Sequence, residues 1–296
     1  MEVSHAVVTR PILISIVVAA VILALAAIAI VVRLAEVERS GPARCAPGLV
    51  ALGPRCCGEG QKLAAGRCVG TPKRCGPGMR ATDGPRPGCV AEERRIKIAS
   101  ATLELSPSEW EPQRALEARK VNVEGFSIDA SEVTLQRWQA CTSAGTCPAL
   151  REPEPGRPVT AVSAEDAERF CRFSGGRLPT TDEWLLAAAG PSGHRFAWGT
   201  TGLVCRRAVF GLVAGPCAEG SEGPEICGSR PDGATPEGLL DLTGNVAEWT
   251  RDAGDEYRAL GGSYLSKVAA ELTTWAVDPS ESAAPHIGFR CAYAAH

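Results

Sequence analysis

The chain has 296 residues, a formal net charge of −3 and 45% hydrophobic residues. That balance excludes a strongly basic nucleic-acid binder and a highly charged disordered chain, and leaves enough length for one sizeable core. Its 32 Gly and 22 Pro residues exceed ordinary usage, so much of the folded part is expected to be loop.

Residues 1–10 read as a short tail. Pro11 to Val32 is then a run without a charge, built from Ile, Val, Leu and Ala with one Ser15, and bracketed by Arg10 and Arg33. At about 1.5 Å per residue the run reaches roughly 33 Å, enough to cross a hydrocarbon core of about 30 Å. It exceeds the roughly 7–15 residues of a cleaved signal h-region, although Ala-x-Ala patterns occur near Ala27. The reading is a transmembrane signal anchor over 11–32, with cleavage as the alternative. Flanking charge alone mildly favours the C-terminal part inside, since Arg33, Arg39 and Arg44, partly offset by Glu36 and Glu38, follow the run and only Arg10 and the α-amino group precede it. The cysteines argue the other way and decide the orientation. All 13 follow the run, and such density persists mainly as disulfides in oxidising compartments. There is no CxxC pair and there are only four His, so zinc-type spacing is missing. The expectation is a single-pass protein whose C-terminal part lies outside the cytoplasm, periplasmic or extracellular.

Residues 33–44 form a linker and 45–95 a Cys-rich stalk. The stalk repeats a C-x-x-G unit that ends in another Cys: Cys45 to Cys56, Cys57 to Cys68 and Cys75 to Cys89. Its apolar content predicts no core, so disulfides must order it. Pairing within each unit is expected, although six cysteines allow 15 pairings. A stiff spacer is the preferred reading and a ligand-binding knob the other.

From Ile96 to His296 the pattern becomes that of a globular domain. Alternation predicts strands at Ile96–Ile98, Thr102–Leu105, Val121–Val123 and Phe126–Ile128. Three helices follow. The first spans about Thr134 to Cys141, with Leu135 and Trp138 on one face. The second is capped by Ser163, buries Ala167, Phe170 and Cys171, and stops near Gly175 and Gly176. The third opens with Thr180-x-x-Glu183, a capping box, buries Trp184, Leu185 and Ala188, and ends at Gly190. Later strands are expected at Arg258–Tyr264 and Ile287–Tyr293.

These segments carry a resemblance. Phe126 to Thr134 (FSIDASEVT), Pro158 to Ser163 (PVTAVS) and Ala167 to Cys171 (AERFC) are similar in kind and order to motifs of the formylglycine-generating enzyme family, the sulfatase-modifying factors. Gly176 to Trp184 (GRLPTTDEW) resembles the family's GRLPTEAEW, Phe196 to Gly199 (FAWG) its YPWG, and Gly238 to Trp249 (GLLDLTGNVAEW) its GLYDMAGNVWEW. Leu260 to Ser263 (LGGS) and Gly288 to Cys291 (GFRC) close the series. The resemblance implies an α+β fold, a loop-rich variant of the C-type lectin-like fold. Taken alone, Trp184, Trp198 and Trp249 read as core, and Arg177 and Arg290 as buried ion-pair partners.

The resemblance also implies a structural calcium site with side-chain ligands Asp241 and Glu248 and carbonyl ligands Gly244 and Val246, chemistry that suits a hard cation; the alternative is a loop held by hydrogen bonds alone, since Asp and Glu can accept from backbone amides. The loop Cys205 to Cys227 lacks the family's second calcium site. A disulfide Cys171–Cys291 is implied, and Cys141 with Cys147 would close a local loop. Cys205, Cys217 and Cys227 leave one cysteine over, either a free thiol, a metal ligand or an intermolecular partner. The family's oxidase binds copper(I) through two cysteines after the GGS motif, and Ser266 and Glu271 occupy those positions here. Neither is a soft ligand, so copper is not expected. Nor can four scattered His build the iron site of other relatives. The leading expectation is a non-catalytic binding or scaffold module, tethered to a membrane through 11–32, with an envelope protein or glycan as ligand and no nucleic acid. The alternative is a protein-modifying oxidase with active groups not recognised in the sequence.

Overall fold

The computed structural model describes residues 45–295 except 46–47, 53–54, 65–66, 77, 84–86, 107–115, 151–153, 214–216, 218–222 and 253–255, together with residue 20 alone before them. The predicted anchor therefore falls outside the described residues. Among those described, no helix is long and apolar enough to cross a membrane.

The Cys-rich segment is three antiparallel hairpins in a row: β1 (Leu49–Leu52) with β2 (Arg55–Gly58), β3 (Lys62–Ala64) with β4 (Arg67–Val69), and β5 (Met79–Thr82) with β6 (Gly88–Ala91). Each carries one disulfide, Cys45–Cys56, Cys57–Cys68 and Cys75–Cys89, as pairing within the repeat unit predicts. The expectation of no apolar core needs correcting. Leu49, Cys56, Met79 and Cys89 are buried together with Ile226, which belongs to the following domain. A Cβ on Gly156 would lie 2.0 Å from the Cys89 carbonyl, so only glycine permits this approach between the third hairpin and the domain.

Among its described residues the domain holds two three-stranded sheets and one further hairpin. β10 (Phe126–Asp129) lies between β7 (Arg95–Ile98) and β14 (Ala292–Ala294), antiparallel to both. β11 (Ala247–Arg251) lies between β12 (Tyr257–Leu260), antiparallel, and β13 (Ile287–Gly288), parallel. β8 (Ala101–Leu105) and β9 (Arg119–Val123) form the hairpin. The three predicted helices are present as α1 (Leu135–Ser143), α2 (Ala164–Phe173) and α3 (Thr181–Ala189), with N-caps Thr134, Ser163 and Thr180. On α3 the capping box is complete: the Glu183 amide donates to Thr180 Oγ1 at 3.1 Å and the Thr180 amide to Glu183 Oε2 at 2.8 Å.

Two predicted strands are shorter than expected. β12 stops at Leu260 because Gly261 and Gly262 adopt φ of 93° and 68°, which end an extended run. The stretch 287–293 is not one strand. Ile287–Gly288 pairs with β11, Ala292–Ala294 pairs with β10, and the residues between carry the chain from one sheet to the other. There the Val133 amide donates to the Phe289 carbonyl and the Asp129 amide to the Cys291 carbonyl, both at 2.9 Å.

The core lies where α1, α2 and the last crossing meet. Trp138 stacks on Phe170 with centroids 5.5 Å apart, and Phe289 meets both rings edge-on at 6.1 and 5.6 Å. The buried indoles keep their donors satisfied, Trp138 on the Pro148 carbonyl at 2.9 Å and Trp249 on the Val162 carbonyl at 3.1 Å. The Cys171–Cys291 disulfide lies within this cluster. A second cluster packs Trp184 and Leu185 of α3 against Leu103, Leu105, Phe126, Ile128 and Leu260. Cys141–Cys147 and Cys205–Cys217 are also bonded, which leaves Cys227, fully buried, as the free thiol. Arg177 departs from its expectation: it holds Glu183 through two bonds of 2.6 Å but remains 42% exposed. Trp198 is only half-buried, stacked on Phe196 at 5.2 Å.

Candidate functional site

Two places bear on function, the loop after the GGS motif and the loop that leads into β11.

The first begins at Gly261. The Ser263 amide donates to Ser266 Oγ at 3.0 Å, and the Ser266 amide donates back to the Ser263 carbonyl at 3.0 Å. The Lys267 amide donates to Glu271 Oε2 at 2.7 Å. Between the two side chains sits Gly262, where a Cβ would meet the Glu271 carbonyl at 2.3 Å and Ser266 Oγ at 3.1 Å. Ser266 and Glu271 thus act as local caps that fix a tight turn, the ordinary use of short polar side chains in loops. Tyr264 and Leu272 anchor the turn on Phe196, Val209, Phe210 and Leu212. Leu265 and Val268 point outward, 39% and 53% exposed.

The second place is a buried polar cluster built on 238–249. Three residues here have left-handed backbone: Asp241 (φ 58°), Gly244 (φ 84°) and Asn245 (φ 60°). Asp and Asn tolerate this region better than most residues, and a Cβ on Gly244 would approach the Val209 carbonyl to 2.5 Å. The conformation turns side chains inward. Glu248 takes a two-pronged ion pair from Arg290, Nε to Oε2 and Nη2 to Oε1, both at 2.7 Å, and Oε2 also accepts from Trp184 Nε1 at 2.8 Å. Arg290 is 0% exposed, and its remaining donors reach the carbonyls of Asp129 at 3.1 Å and Leu240 at 2.7 Å. Burial works against its charge, but Glu248 first, then Glu132 and Asp241, hold its pKa above the usual arginine value. Three of the roughly four lone-pair positions of Glu248 are therefore used, which leaves one on Oε1.

Asp241 Oδ2 accepts from the Gly228 amide at 2.5 Å. Asn245 accepts from the Glu225 amide at 2.9 Å and donates to Glu132 Oε1 at 2.8 Å. Glu225 in turn pairs with Arg230 at 2.5 Å. Glu132 is the exception to this closure. It is 1% exposed, and its second oxygen, Oε2, accepts no hydrogen bond. Burial first, and then the charges of Asp241 and Glu248, raise its pKa well above the usual carboxylate range, with Arg290 and Asn245 opposing. Asp241 is raised too, by burial, while the Gly228 amide pulls it back. Burial pushes the neighbouring Cys227 thiol well up, helped by the charges of Glu132 and Asp241, so it stays protonated at neutral pH and is a poor nucleophile.

The predicted residues Asp241, Gly244, Val246 and Glu248 are thus drawn to one buried loop. Among the described residues no three His, Cys, Asp or Glu side chains form a preformed metal cage. A metal here would depend on backbone carbonyls beside carboxylates, a donor set of hard oxygens that fits calcium and does not fit copper. The orphaned Glu132 oxygen fits the same chemistry.

A family profile described as "Sulfatase-modifying factor enzyme 1-like domain" matches residues 90–295. The chain belongs to this family. It is 36% identical over 155 residues to the mouse (Mus musculus) "Inactive C-alpha-formylglycine-generating enzyme 2", covering 47% of this chain and 49% of that protein. To the mouse "Formylglycine-generating enzyme" it is 25% identical over 328 aligned positions, 79% of this chain and 88% of the relative. The chain spans about half the length of the inactive relatives from mouse and cow (Bos taurus). Two solved structures share the fold at low identity. Treponema denticola variable protein 1 has a TM-score of 0.56 at 19% identity, covering 74% of this chain and 100% of that one. PvdO from Pseudomonas aeruginosa has a TM-score of 0.55 at 17% identity, covering 74% and 99%.

Reading the motifs did not find Glu132, Asn245 or Cys227 as one group. Glu132 and Asn245 are 113 residues apart in the chain, so no spacing rule joins them. The available signal was weaker. Asp129 to Val133 is a buried run that holds a glutamate with no local partner of opposite charge.

Proposed function

We propose that this protein is a catalytically silent member of the sulfatase-modifying factor family, held to a membrane through residues 11–32 and exposing a disulfide-bonded binding or scaffold module outside the cytoplasm. One observation carries the reading. The two positions where the family's oxidase holds copper(I) are Ser266 and Glu271, and both side chains are spent on capping their own turn. Neither offers a soft sulfur ligand. Similarity to the inactive formylglycine-generating enzyme 2 of mouse and cow supports it. So does the outward exposure of Leu265 and Val268 from the same loop, apolar side chains available to an envelope protein or a glycan. Export is supported by six disulfides in one chain, which a reducing cytosol would not maintain.

The domain is held together in part by one calcium ion at the 238–249 loop. Asp241 and the remaining Oε1 position of Glu248 would supply side-chain oxygens, and Gly244 and Val246 their carbonyls. The ion would neutralise buried carboxylate charge and hold a left-handed loop in place. The test of silence is an assay of the purified full chain with cysteine-containing peptides, copper(I) and oxygen. The expected result is no aldehyde product above the protein-free control. Turnover would instead favour an oxidase with active groups outside the family pattern.

A further inference from the structure

We propose that Glu132 is a further ligand of this same cation, supplied by the segment between β10 and α1 rather than by the loop that carries the other ligands; the inference rests on the calcium reading above. Three observations meet here. Glu132 is buried to 1% exposure, one oxygen is fixed by Asn245 Nδ2 at 2.8 Å, and the other accepts from no nitrogen or hydroxyl, with only the weak S–H of Cys227 beside the carboxylate. A buried carboxylate oxygen so poorly paired is costly and rare, and it marks a place where something is bound. Next, the Asp241 carboxyl lies within hydrogen-bonding reach of Glu132. Two carboxylates bond to each other only through a shared proton or a shared cation. Finally, the charges do not balance. Glu132, Asp241 and Glu248 face a single guanidinium, Arg290, while Glu225 is compensated by Arg230. Ionised, the group carries two uncompensated negative charges, the complement of one divalent cation.

The geometry also gives Asn245 a role. By holding Glu132 Oε1 it leaves Oε2 open, and it links that carboxylate to the loop next to Gly244 and to the Glu225 amide. Glu132, Asp241 and Glu248 do not already form a cage, so the ion would draw Glu132 toward the loop and order that loop together with the start of α1. In Glu132→Gln the Oε1 bond to Asn245 is kept, the charge is removed, and the new amide can donate to Asp241.

The test uses the full chain in detergent, stripped with EDTA and titrated with calcium and with terbium, whose luminescence Trp184 can sensitise because its indole bonds Glu248. The wild type is expected to bind one ion per chain and to melt at a higher temperature with calcium than in EDTA. Glu132→Gln is expected to weaken binding at least tenfold and to lose most of the calcium-dependent rise, yet to melt no lower than the wild type in EDTA. Equal affinity in the two proteins overturns the role of Glu132 and leaves the calcium reading standing. No binding by the wild type overturns both, and a proton shared between Glu132 and Asp241 then accounts for the pair. Should Glu132→Gln fail to fold, the wild-type structure with calcium decides. Glu132 Oε2 within about 2.3–2.6 Å of the ion supports the proposal, and an oxygen outside the coordination shell overturns it.

Discussion

The three hairpins and the domain that follows are both disulfide-rich, but their order has different origins. In the hairpins each disulfide joins residues 11 to 14 apart, and the apolar cluster they share is completed by Ile226 of the domain. In the domain the disulfide Cys171–Cys291 spans 120 residues and sits inside a stacked aromatic core. The hairpins are thus three local units, each closed by its own link, whereas the domain is one cooperative unit in which distant segments depend on each other. The difference explains why a repeat of C-x-x-G units is enough to specify the first region and would never specify the second.

The sharpest way to break this comparison is to remove one link from each region. Cys171→Ala combined with Cys291→Ala releases a loop of 120 residues, and the chain-entropy view gives a loss of roughly 4–5 kcal/mol in unfolding free energy, measured by urea melts. Cys57→Ala combined with Cys68→Ala should abolish amide-exchange protection in β3 and β4 while the urea midpoint of the domain stays in place. If both pairs move the domain midpoint equally, the two regions are one unit and the contrast fails.

A somewhat smaller effect is expected from the buried charges of the domain. Arg290→Leu leaves Glu248 buried without its partner beside Glu132 and Asp241, and should destabilise the domain by about 3–5 kcal/mol in the same urea melts. A loss under about 1 kcal/mol would mean that the ion pair is not what organises the crossing between the two sheets.

The smallest effect is electrostatic and near the surface. Burial would raise the Asp278 pKa, but bonds from His286 at 3.1 Å and from the Ser280 amide at 2.9 Å hold it below the usual aspartate value. Its folded pKa is depressed, so its contribution is present above the unfolded value of about 3.9 and is lost as pH falls through the folded value. Asp278→Asn should therefore melt below the wild type at pH 6 and converge with it below about pH 3, a difference discounted for partial exposure. A gap that persists at pH 3 would assign the effect to lost packing.

Much of the fold was legible because its signals are local. Thr134, Ser163 and Thr180 announce helix starts through a side chain that reaches only three residues ahead, and the repeat units announce their own disulfides. The strands were legible only in part. Nothing local says that Phe289 to Cys291 leaves one sheet for another, because that crossing is set by Val133 and Asp129, more than 150 residues earlier. The site divides the same way. Asp241, Gly244, Val246 and Glu248 fall within one loop and came with the motif. Glu132 joins them only in three dimensions, through Asn245, and its orphaned oxygen has no counterpart in any sequence pattern.

The central claim is that the family's copper chemistry is absent because Ser266 and Glu271 are hard, hydrogen-bonded caps. It is tested most directly by titrating copper(I) into the purified, disulfide-intact full chain in competition with a chromogenic copper(I) chelator. The account predicts that the chelator keeps all the metal. Retention of one copper(I) per chain against the chelator would contradict it.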